Sequence, residues 1–254
     1  MEPKKTLGQN FLIDDEALDF IASLIDISKD DAVVEVGPGH GELTIKLLKA
    51  EPMSLTVIEK DRDLWSRLKT KFDRFPAFSL KGGDALEELP KIAPKNSDWK
   101  IVGNIPYYIT GHLLRIIGEL DNPPRLSVFT VQKEVAERAS ALPPDMNLLS
   151  ASLGFWSDIM MAGVINRTSF DPVPNVDSAV IVISKKDRPN IPADDYYRAM
   201  KTIFKQPRKT VVNNLMDGLS ISREEAERKM SAASLSLRLR PQDLSVDDIV
   251  KLSR

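Results

Sequence analysis

The strongest constraint on the fold is the regular alternation of short apolar runs with helical patterns. The strand-like runs show little polar alternation, as expected for strands covered on both faces. They occupy residues 32–36, 55–59, 78–80, 100–103, 126–131 and 176–183, with a weaker run at 160–165. Between them, apolar residues recur at helical spacing over residues 43–48, 64–72 and 113–120. Strands alternating with helices predict βαβ units, and therefore a mainly parallel, doubly wound sheet.

The pattern changes after residue 185. The stretch 185–192 (KKDRPNIP) is typical of a linker, and beyond it strand signals disappear. Helical patterns continue at residues 196–204, 209–215, 223–230 and 246–252. The sequence therefore predicts an α/β domain over residues 1–185 and a small helical domain over residues 186–254.

Composition excludes several classes of protein. The chain has no cysteine and two histidines, so disulfides and thiolate metal sites are excluded and zinc ligation is poorly supplied. No stretch approaches the roughly 20 apolar residues of a membrane span. No apolar signal segment follows the first residues. We expect a cytoplasmic protein without a metal ion or a membrane partner.

The distribution of charge is uneven. The net charge is −2, which by itself argues against a nucleic-acid partner. Residues 185–254, however, hold 15 Lys and Arg against 10 Asp and Glu, whereas residues 1–184 hold 20 against 27. Such asymmetry indicates an anionic partner at one end, although two ordinary solvated surfaces explain the charges equally well.

One segment within residues 185–254 is strongly basic. Residues 198–209 carry five Lys or Arg and no acid. Helical spacing puts four of them near one face, a stripe suited to phosphate binding, namely Arg198, Lys201, Lys205 and Arg208. A solvated helix surface is the alternative, and Pro207 must break or start a helix there.

A glycine-rich turn follows the first long strand. Residues 37–44 (GPGHGELT) open a helix, where backbone N–H groups are free and a ligand can approach closely. The Gly-x-Gly-x-Gly spacing differs from a dinucleotide fingerprint, so a pyrophosphate is not the obvious ligand. Glu59 ends the next strand, 22 residues past Gly37, where a carboxylate accepts both hydroxyls of a ribose. A helix N-terminal carboxylate is the alternative for Glu59 alone, but together these features favour a nucleoside-type cofactor.

Two further strand ends carry polar residues. Asp84, in Gly-Gly-Asp-Ala, is placed to accept a hydrogen bond from an adenine amino group, although an N-cap accounts for it as well. Residues 103–110 (GNIPYYIT) follow the next strand, at the edge where ligands bind in such sheets. An Asn-Pro turn with two core tyrosines is the structural alternative here.

Residues 103–110 suit chemistry on the exocyclic amine of a nucleobase. The lone pair of such an amine is delocalised into the ring, and acceptors that hold both amine hydrogens favour the nucleophilic, tetrahedral form. The side-chain oxygen of Asn104 and the carbonyl of Ile105 supply such a pair, and Pro106 holds the turn. Tyr107 is then placed to stack on a base extracted from its neighbours.

These motifs resemble those of the KsgA family of S-adenosylmethionine-dependent rRNA adenine N6-dimethyltransferases, with the Erm methyltransferases as near relatives. The resemblance covers nearly the whole chain and follows the family order. Further matching segments are LGQNFL at 7–12, VQKEVAER at 131–138, FDPVPNVDSAV at 170–180 and RPQDLS at 240–245.

The resemblance implies a Rossmann-like class I methyltransferase sheet with a small C-terminal all-helical domain that docks RNA. It implies S-adenosyl-L-methionine as cofactor and no metal. The implied cofactor-binding residues are Gln9, Asn10, Leu12, Gly37, Gly39, Glu59, Lys60, Asp84, Ala85 and Asn104. The implied catalytic residues are Asn104, Ile105, Pro106, Tyr107 and Phe170, the last of these near the target base.

The implied function is N6-dimethylation of adjacent adenosines near the 3′ end of small-subunit rRNA, performed by a monomer within a pre-ribosomal particle and coupled to subunit biogenesis. Two departures affect RNA-facing surface: residues 145–150 (DMNLLS) lack the family's Tyr-Gly-Arg, and Pro207 replaces an arginine.

One alternative has the same chemistry, and two belong to other classes of protein. An Erm-type enzyme of large-subunit rRNA shares the chemistry, but the VDSAV and Arg-Pro-x-x-Leu-Ser segments favour the KsgA family. A mainly non-catalytic ribosome-assembly factor would have no need of Asn104, Pro106 and Tyr107. A nicotinamide dehydrogenase lacks its third-glycine spacing and a histidine placed for hydride transfer.

Overall fold

A seven-stranded sheet forms the centre of the structure, a computed structural model that describes residues 8–95 and 97–254. The strands are β1 (Phe11–Leu12), β2 (Ala32–Val36), β3 (Ser54–Glu59), β4 (Phe78–Gly82), β5 (Trp99–Asn104), β6 (Leu126–Gln132), β7 (Ser157–Ile165), β8 (Phe170–Asp171) and β9 (Ser178–Lys185). Their order in the sheet is β4-β3-β2-β5-β6-β9-β7, and β1 pairs separately with β8. Strands β2 to β6 pair in parallel and β9 runs antiparallel to β6. The predicted doubly wound, mainly parallel sheet is confirmed.

Helices lie between the strands along the chain, and the last four follow β9. They are α1 (Asp15–Ile25), α2 (Glu42–Lys49), α3 (Arg62–Phe72), α4 (Ala85–Ile92), α5 (Thr110–Glu119), α6 (Lys133–Ala139), α7 (Leu148–Gly154), α8 (Ala193–Ile203), α9 (Val211–Leu219), α10 (Arg223–Ala232) and α11 (Val246–Leu252). Aspartates begin three of the helices next to the sheet. The side chains of Asp14, Asp61 and Asp84 accept hydrogen bonds from the first turns of α1, α3 and α4. Each aspartate thereby satisfies backbone donors that the helix leaves free.

The sheet core explains the continuous apolar runs of the sequence. Strand β2 is buried at four of its five positions, and β5 is buried at all but the last of its six. Burial on both faces requires apolar side chains at consecutive positions rather than alternate ones.

A buried ion cluster ties the amino ends of the central strands together. Lys100 on β5 is 2% exposed, and its Nζ lies 2.8 Å from the carboxylate of Asp31 and also donates to the carbonyl of Asp26. Arg125 donates to the same carboxylate at 2.9 Å. Burial opposes ionisation of Asp31, but hydrogen bonds from Lys100, Ser28 and Arg125 outweigh it and lower the pKa to about 2. The cluster therefore holds the end of the sheet opposite to the polar strand ends.

The described chain divides into two compact units. The first runs to Ala136 and includes Ile159–Lys185, and the second contains Glu137–Asp158 and Lys186–Arg254. The sequence-based division assigned residues 137–158 to the first domain, but here they pack with the helical segment. Phe155 stacks on Tyr196 with ring centroids 4.4 Å apart, and the hydroxyl of Tyr196 donates to the carbonyl of Ala151 at 2.8 Å.

The predicted basic stripe is not a single helical face. Helix α8 ends at Ile203, so Arg198 and Lys201 lie on it while Lys205 and Arg208 follow in turns before α9. Arg198 pairs with Asp195 at 2.6 Å, and Lys205 donates to the carbonyl of Asp217 at 3.1 Å. Pro207 disfavours helical geometry in the residue before it, which explains why the helix cannot extend through this segment.

Candidate functional site

The polar strand ends meet in one cleft of about 760 Å³ at the carboxyl edge of the sheet. Of the residues predicted to bind cofactor or to act in catalysis, twelve line it: Gln9, Asn10, Gly37, Gly39, Glu59, Lys60, Asp84, Ala85, Asn104, Ile105, Pro106 and Tyr107. Leu12 instead lines a smaller adjoining cavity of about 360 Å³, which shares Phe11, Gly37, Gly39 and Asn104 with the cleft. The fold thus brings together, in one cleft, residues that are up to 98 positions apart in the sequence.

Phe170 is the exception among the predicted residues. We expected it near a target base, but its ring is 1% exposed and belongs to the hydrophobic core beside Leu12. In the short pair of β1 with β8, Phe170 lies opposite Leu12 and Asp171 opposite Phe11. Because side chains alternate along a strand, the inward position falls on Phe170 and the exposed one on Asp171.

The glycine turn approaches two other segments closely. Gly37 and Gly39 have φ of 68° and 59°, a left-handed conformation that side chains rarely adopt. A Cβ at Gly39 would lie 2.7 Å from the ring of Phe11, and one at Gly37 would lie 3.3 Å from the carbonyl of Asn104. The turn therefore requires glycine for both its backbone and its neighbours.

Glu59 is a buried carboxyl at the end of β3. It is 7% exposed, and its Oε1 accepts a hydrogen bond from the backbone N–H of Asp61 at 2.7 Å. Burial raises the pKa of Glu59 to about 7, although this hydrogen bond and others from backbone N–H groups favour the charged form. A ligand that donates hydrogen bonds to this carboxyl would bind its ionised form preferentially.

Asp84 caps a helix and also lies in the cleft. One carboxylate oxygen accepts from the backbone of Leu86 at 3.0 Å and caps α4, while the other accepts from Nζ of Lys60 at 2.8 Å. Burial opposes ionisation, but these two hydrogen bonds hold the pKa of Asp84 below its usual value. Since Asp84 also lines the cleft, capping does not exclude ligand binding.

The side-chain amide of Asn104 has a defined orientation. Its Nδ2 donates to the backbone carbonyl of Asn10 at 2.9 Å. A carbonyl can only accept, so the amide must turn its nitrogen towards Asn10, and its oxygen remains an acceptor on the other side. The backbone N–H of Ile105 donates to the carbonyl of Thr130 at 3.1 Å and fixes the peptide that follows.

The two tyrosines of the turn differ in environment. Tyr107 is partly buried, and its hydroxyl lies 2.8 Å from that of Ser178 on β9. Tyr108 is 58% exposed at the edge of the cleft, and its ring would lie 3.2 Å from a Cβ at Gly8. The alternative of two core tyrosines is therefore wrong for Tyr108.

Sequence reasoning missed how the N-terminal segment, residues 8–13, is held across the cleft. Phe11 stacks on His40 of the glycine turn with centroids 4.2 Å apart, and Gln9 donates to the carboxylate of Asp61 at 3.0 Å. No spacing rule links residues so far apart. Leu7, the first residue of the matching segment, lies outside the described residues.

Within residues 8–95 and 97–254, no group of three or more His, Cys, Asp or Glu could hold a metal ion. The same part of the chain contains no helix long and apolar enough to cross a membrane.

The strand order, the glycine turn and the acidic end of β3 define a class I methyltransferase fold. Solved structures agree in fold. A dimethyladenosine transferase from Plasmodium falciparum superposes with a TM-score of 0.80 at 24% identity over 95% of each chain. The 23S rRNA methyltransferase ErmE gives a TM-score of 0.78 at 22% identity, covering 96% of this chain and 98% of that one.

Sequence comparison identifies the family. A family model described as ribosomal RNA adenine dimethylase matches residues 1–252, and this chain belongs to that family. Two similar proteins are named ribosomal RNA small subunit methyltransferase A. The one from Synechococcus sp. (strain WH7803) is 37% identical over 264 residues, 99% of this chain and 93% of its own. The one from Dehalococcoides mccartyi is 34% identical over 252 residues, 98% of this chain and 86% of its own. The chain is an rRNA adenine dimethyltransferase.

Proposed function

We propose that this enzyme N6-dimethylates adjacent adenosines near the 3′ end of small-subunit rRNA, with S-adenosyl-L-methionine as methyl donor. The names of the similar proteins support the small subunit. The VDSAV and Arg-Pro-x-x-Leu-Ser segments support it as well. The large-subunit alternative has the ErmE likeness in its favour, but at 22% identity that likeness concerns the fold alone.

The cleft fits the proposed cofactor. Glu59 accepts the ribose hydroxyls, Asp84 accepts from the adenine amino group, and Asn10 lies at the methionine end beside the glycine turn. The remaining residues that line the two cavities and complete the proposed site are Gln9, Leu12, Gly37, Gly39, Lys60, Ala85 and Asn104. The bound cofactor supplies a methyl group already activated by a positively charged sulfur.

One observation carries the proposed chemistry: the orientation of the Asn104 amide. With Nδ2 committed to Asn10, the oxygen of Asn104 and the carbonyl of Ile105 can accept both hydrogens of the target amine. This arrangement favours a tetrahedral nitrogen, whose lone pair would attack the methyl carbon while the carbon–sulfur bond breaks and the electron pair stays on the sulfur of S-adenosylhomocysteine. The amine then loses one proton to water, so no protein base is required. Tyr107 stacks on the extruded adenine.

The proposal extends to the setting of the reaction. We place it in the cytoplasm, on a pre-ribosomal particle and performed by a monomer. The family's rRNA substrate supports the particle, and exposed cations of the helical unit offer phosphate contacts. Lys201 and Arg208 are examples.

The test is single-turnover methylation of small subunits that lack the modification, compared with naked large-subunit rRNA. Asn104→Ala should lower the rate at saturating S-adenosyl-L-methionine about 100- to 1,000-fold, because the lost contact acts on the transition state. Asn190→Ala, an exposed asparagine of the segment that precedes α8, is the matched control and should react normally. Near-normal chemistry in Asn104→Ala would contradict the proposed role, and preferential methylation of large-subunit rRNA would contradict the proposed substrate.

A further inference from the structure

The hydroxyl of Tyr107 is bonded to a residue that the sequence did not single out. Its Oη lies 2.8 Å from Oγ of Ser178, which is 71 positions further along the chain. Ser178 is 0% exposed, whereas Tyr107 lines the cleft. The hydrogen bond therefore joins a residue of the cleft to a residue inside the sheet.

The two partners differ in how firmly their backbones are held. Ser178 begins β9 and lies opposite Gln132 in the antiparallel ladder with β6. The residue before it, Asp177, accepts a backbone hydrogen bond from Lys133 at 3.0 Å through its carbonyl and another from Arg167 at 3.0 Å through its carboxylate. Tyr107, by contrast, lies outside the sheet, in a three-residue 3-10 turn that leads into α5. Ser178 is therefore the fixed partner of this hydrogen bond, and Tyr107 is the residue whose side chain it restrains.

A ring that must receive a base gains from such an anchor. The turn fixes only the backbone end of the side chain. A hydrogen bond at Oη holds the outer end as well, which restricts rotation about the Cα–Cβ bond and so limits where the ring can lie. Fixing the position of the ring before the substrate binds avoids part of the entropy cost of ordering it during the reaction. Burial raises the pKa of Tyr107, so its hydroxyl keeps the proton that the bond to Ser178 can use.

We propose that Ser178 is a positioning residue, which holds the ring of Tyr107 in the place required for stacking on the target adenine. This inference rests on the proposed function of Tyr107 as the stacking residue. It also gives the serine of the VDSAV segment a task distinct from core packing.

A double-mutant cycle tests the proposal. Tyr107→Phe and Ser178→Ala each break the same hydrogen bond from opposite ends. Each should lower kcat/KM for unmethylated small subunits by about 3- to 10-fold, the change that one typical net hydrogen bond represents. The double variant should be no slower than the slower single variant, because the bond can be lost only once. S-adenosylhomocysteine affinity should be unchanged in all three.

Two further variants separate positioning from a structural role. Ser127→Ala is the matched control, because Ser127 on β6 is also 0% exposed and its hydroxyl has no partner within the described part of the chain. It should keep wild-type kinetics. Ser178→Thr keeps a hydroxyl and should recover part of the rate lost in Ser178→Ala.

Three results would overturn the inference: losses that multiply in the double variant, a lower Tm of Ser178→Ala with unchanged kinetics, or wild-type kinetics in Tyr107→Phe. If Ser178→Ala does not fold, the kinetics of Tyr107→Phe alone decide whether the inference holds. Tyr107→Ala separates the inference from the function on which it rests. If Tyr107→Ala is fully active, the stacking role itself is wrong. If it is impaired while Tyr107→Phe and Ser178→Ala are normal, only the positioning role is wrong.

Discussion

The buried carboxyl of Glu59 makes cofactor affinity depend on pH. Ribose hydroxyls donate to the ionised carboxylate, so binding favours that form and lowers its pKa in the complex. With a pKa of about 7 in the free protein, roughly one carboxyl in eleven is ionised at pH 6 and ten in eleven at pH 8. The affinity of the wild type for S-adenosylhomocysteine should therefore rise about tenfold between pH 6 and pH 8.

Glu59→Gln isolates this effect. The amide stays neutral, keeps the size of the side chain and still accepts one hydrogen bond. A charged acceptor adds about 1–1.5 kcal/mol to a hydrogen bond, and the amide keeps only one of the two ribose bonds. The variant should therefore bind at least about tenfold more weakly at pH 8, and this difference should shrink about tenfold at pH 6.

Isothermal calorimetry at pH 6, 7 and 8 measures both proteins. Glu119→Gln, which alters an exposed carboxyl on α5, should follow the wild type and controls for surface charge. If the wild type and Glu59→Gln show parallel pH profiles, the carboxyl does not receive the ribose. Unchanged affinity in a folded Glu59→Ala variant would lead to the same conclusion.

Three further predictions concern the rest of the molecule. Charge reversal at Lys201 and Lys205 should weaken binding to small subunits and reduce the slope of log affinity against log salt by about 2, with cofactor affinity unchanged; an unaltered slope would exclude this surface. Lys100→Met should lower the free energy of unfolding by about 3–5 kcal/mol in urea titrations, because it leaves the buried carboxylate of Asp31 short of a partner; a loss below about 1 kcal/mol would contradict this. Burial raises the pKa of Glu35 to about 8 from 4.5. Between these pH values the folded protein keeps a proton that the unfolded chain releases, so the free energy of unfolding falls as pH rises from 4.5 to about 8. Glu35→Gln should flatten that decline, and a persistent decline would assign it to other groups.

Local sequence predicted the parts of the fold whose burial is uniform. Strand β2 has the bounds expected from its apolar run, because a strand covered on both faces differs in composition from everything around it. The pair of β1 with β8 was missed, because two residues are too few for any period to show. Helix α4 was missed as well, since it contains Pro90, a residue that ordinarily ends a helix.

In the candidate site, too, local sequence predicted some features, and contacts between distant segments were missed. Strand ends and glycine turns can be placed from sequence because parallel strands end at one edge of a sheet. The inward orientation of Phe170 could not be, since it depends on which strand pairs with it. The stacking of Phe11 on His40 is likewise a contact between distant segments, and local patterns carry no information about it.

The second unit is built from two separated stretches of chain, and this affects the order of synthesis. The stretch Glu137–Asp158 leaves the ribosome before its partners in Lys186–Arg254 exist. At about 5–20 residues per second, Tyr196 follows Asp158 by roughly 2–8 s. During that time Phe155, which is 1% exposed in the folded protein, has no ring to stack on. A nascent chain therefore leaves this apolar helix end uncovered until Tyr196 is made, and a fragment cut at residue 185 would leave it uncovered permanently.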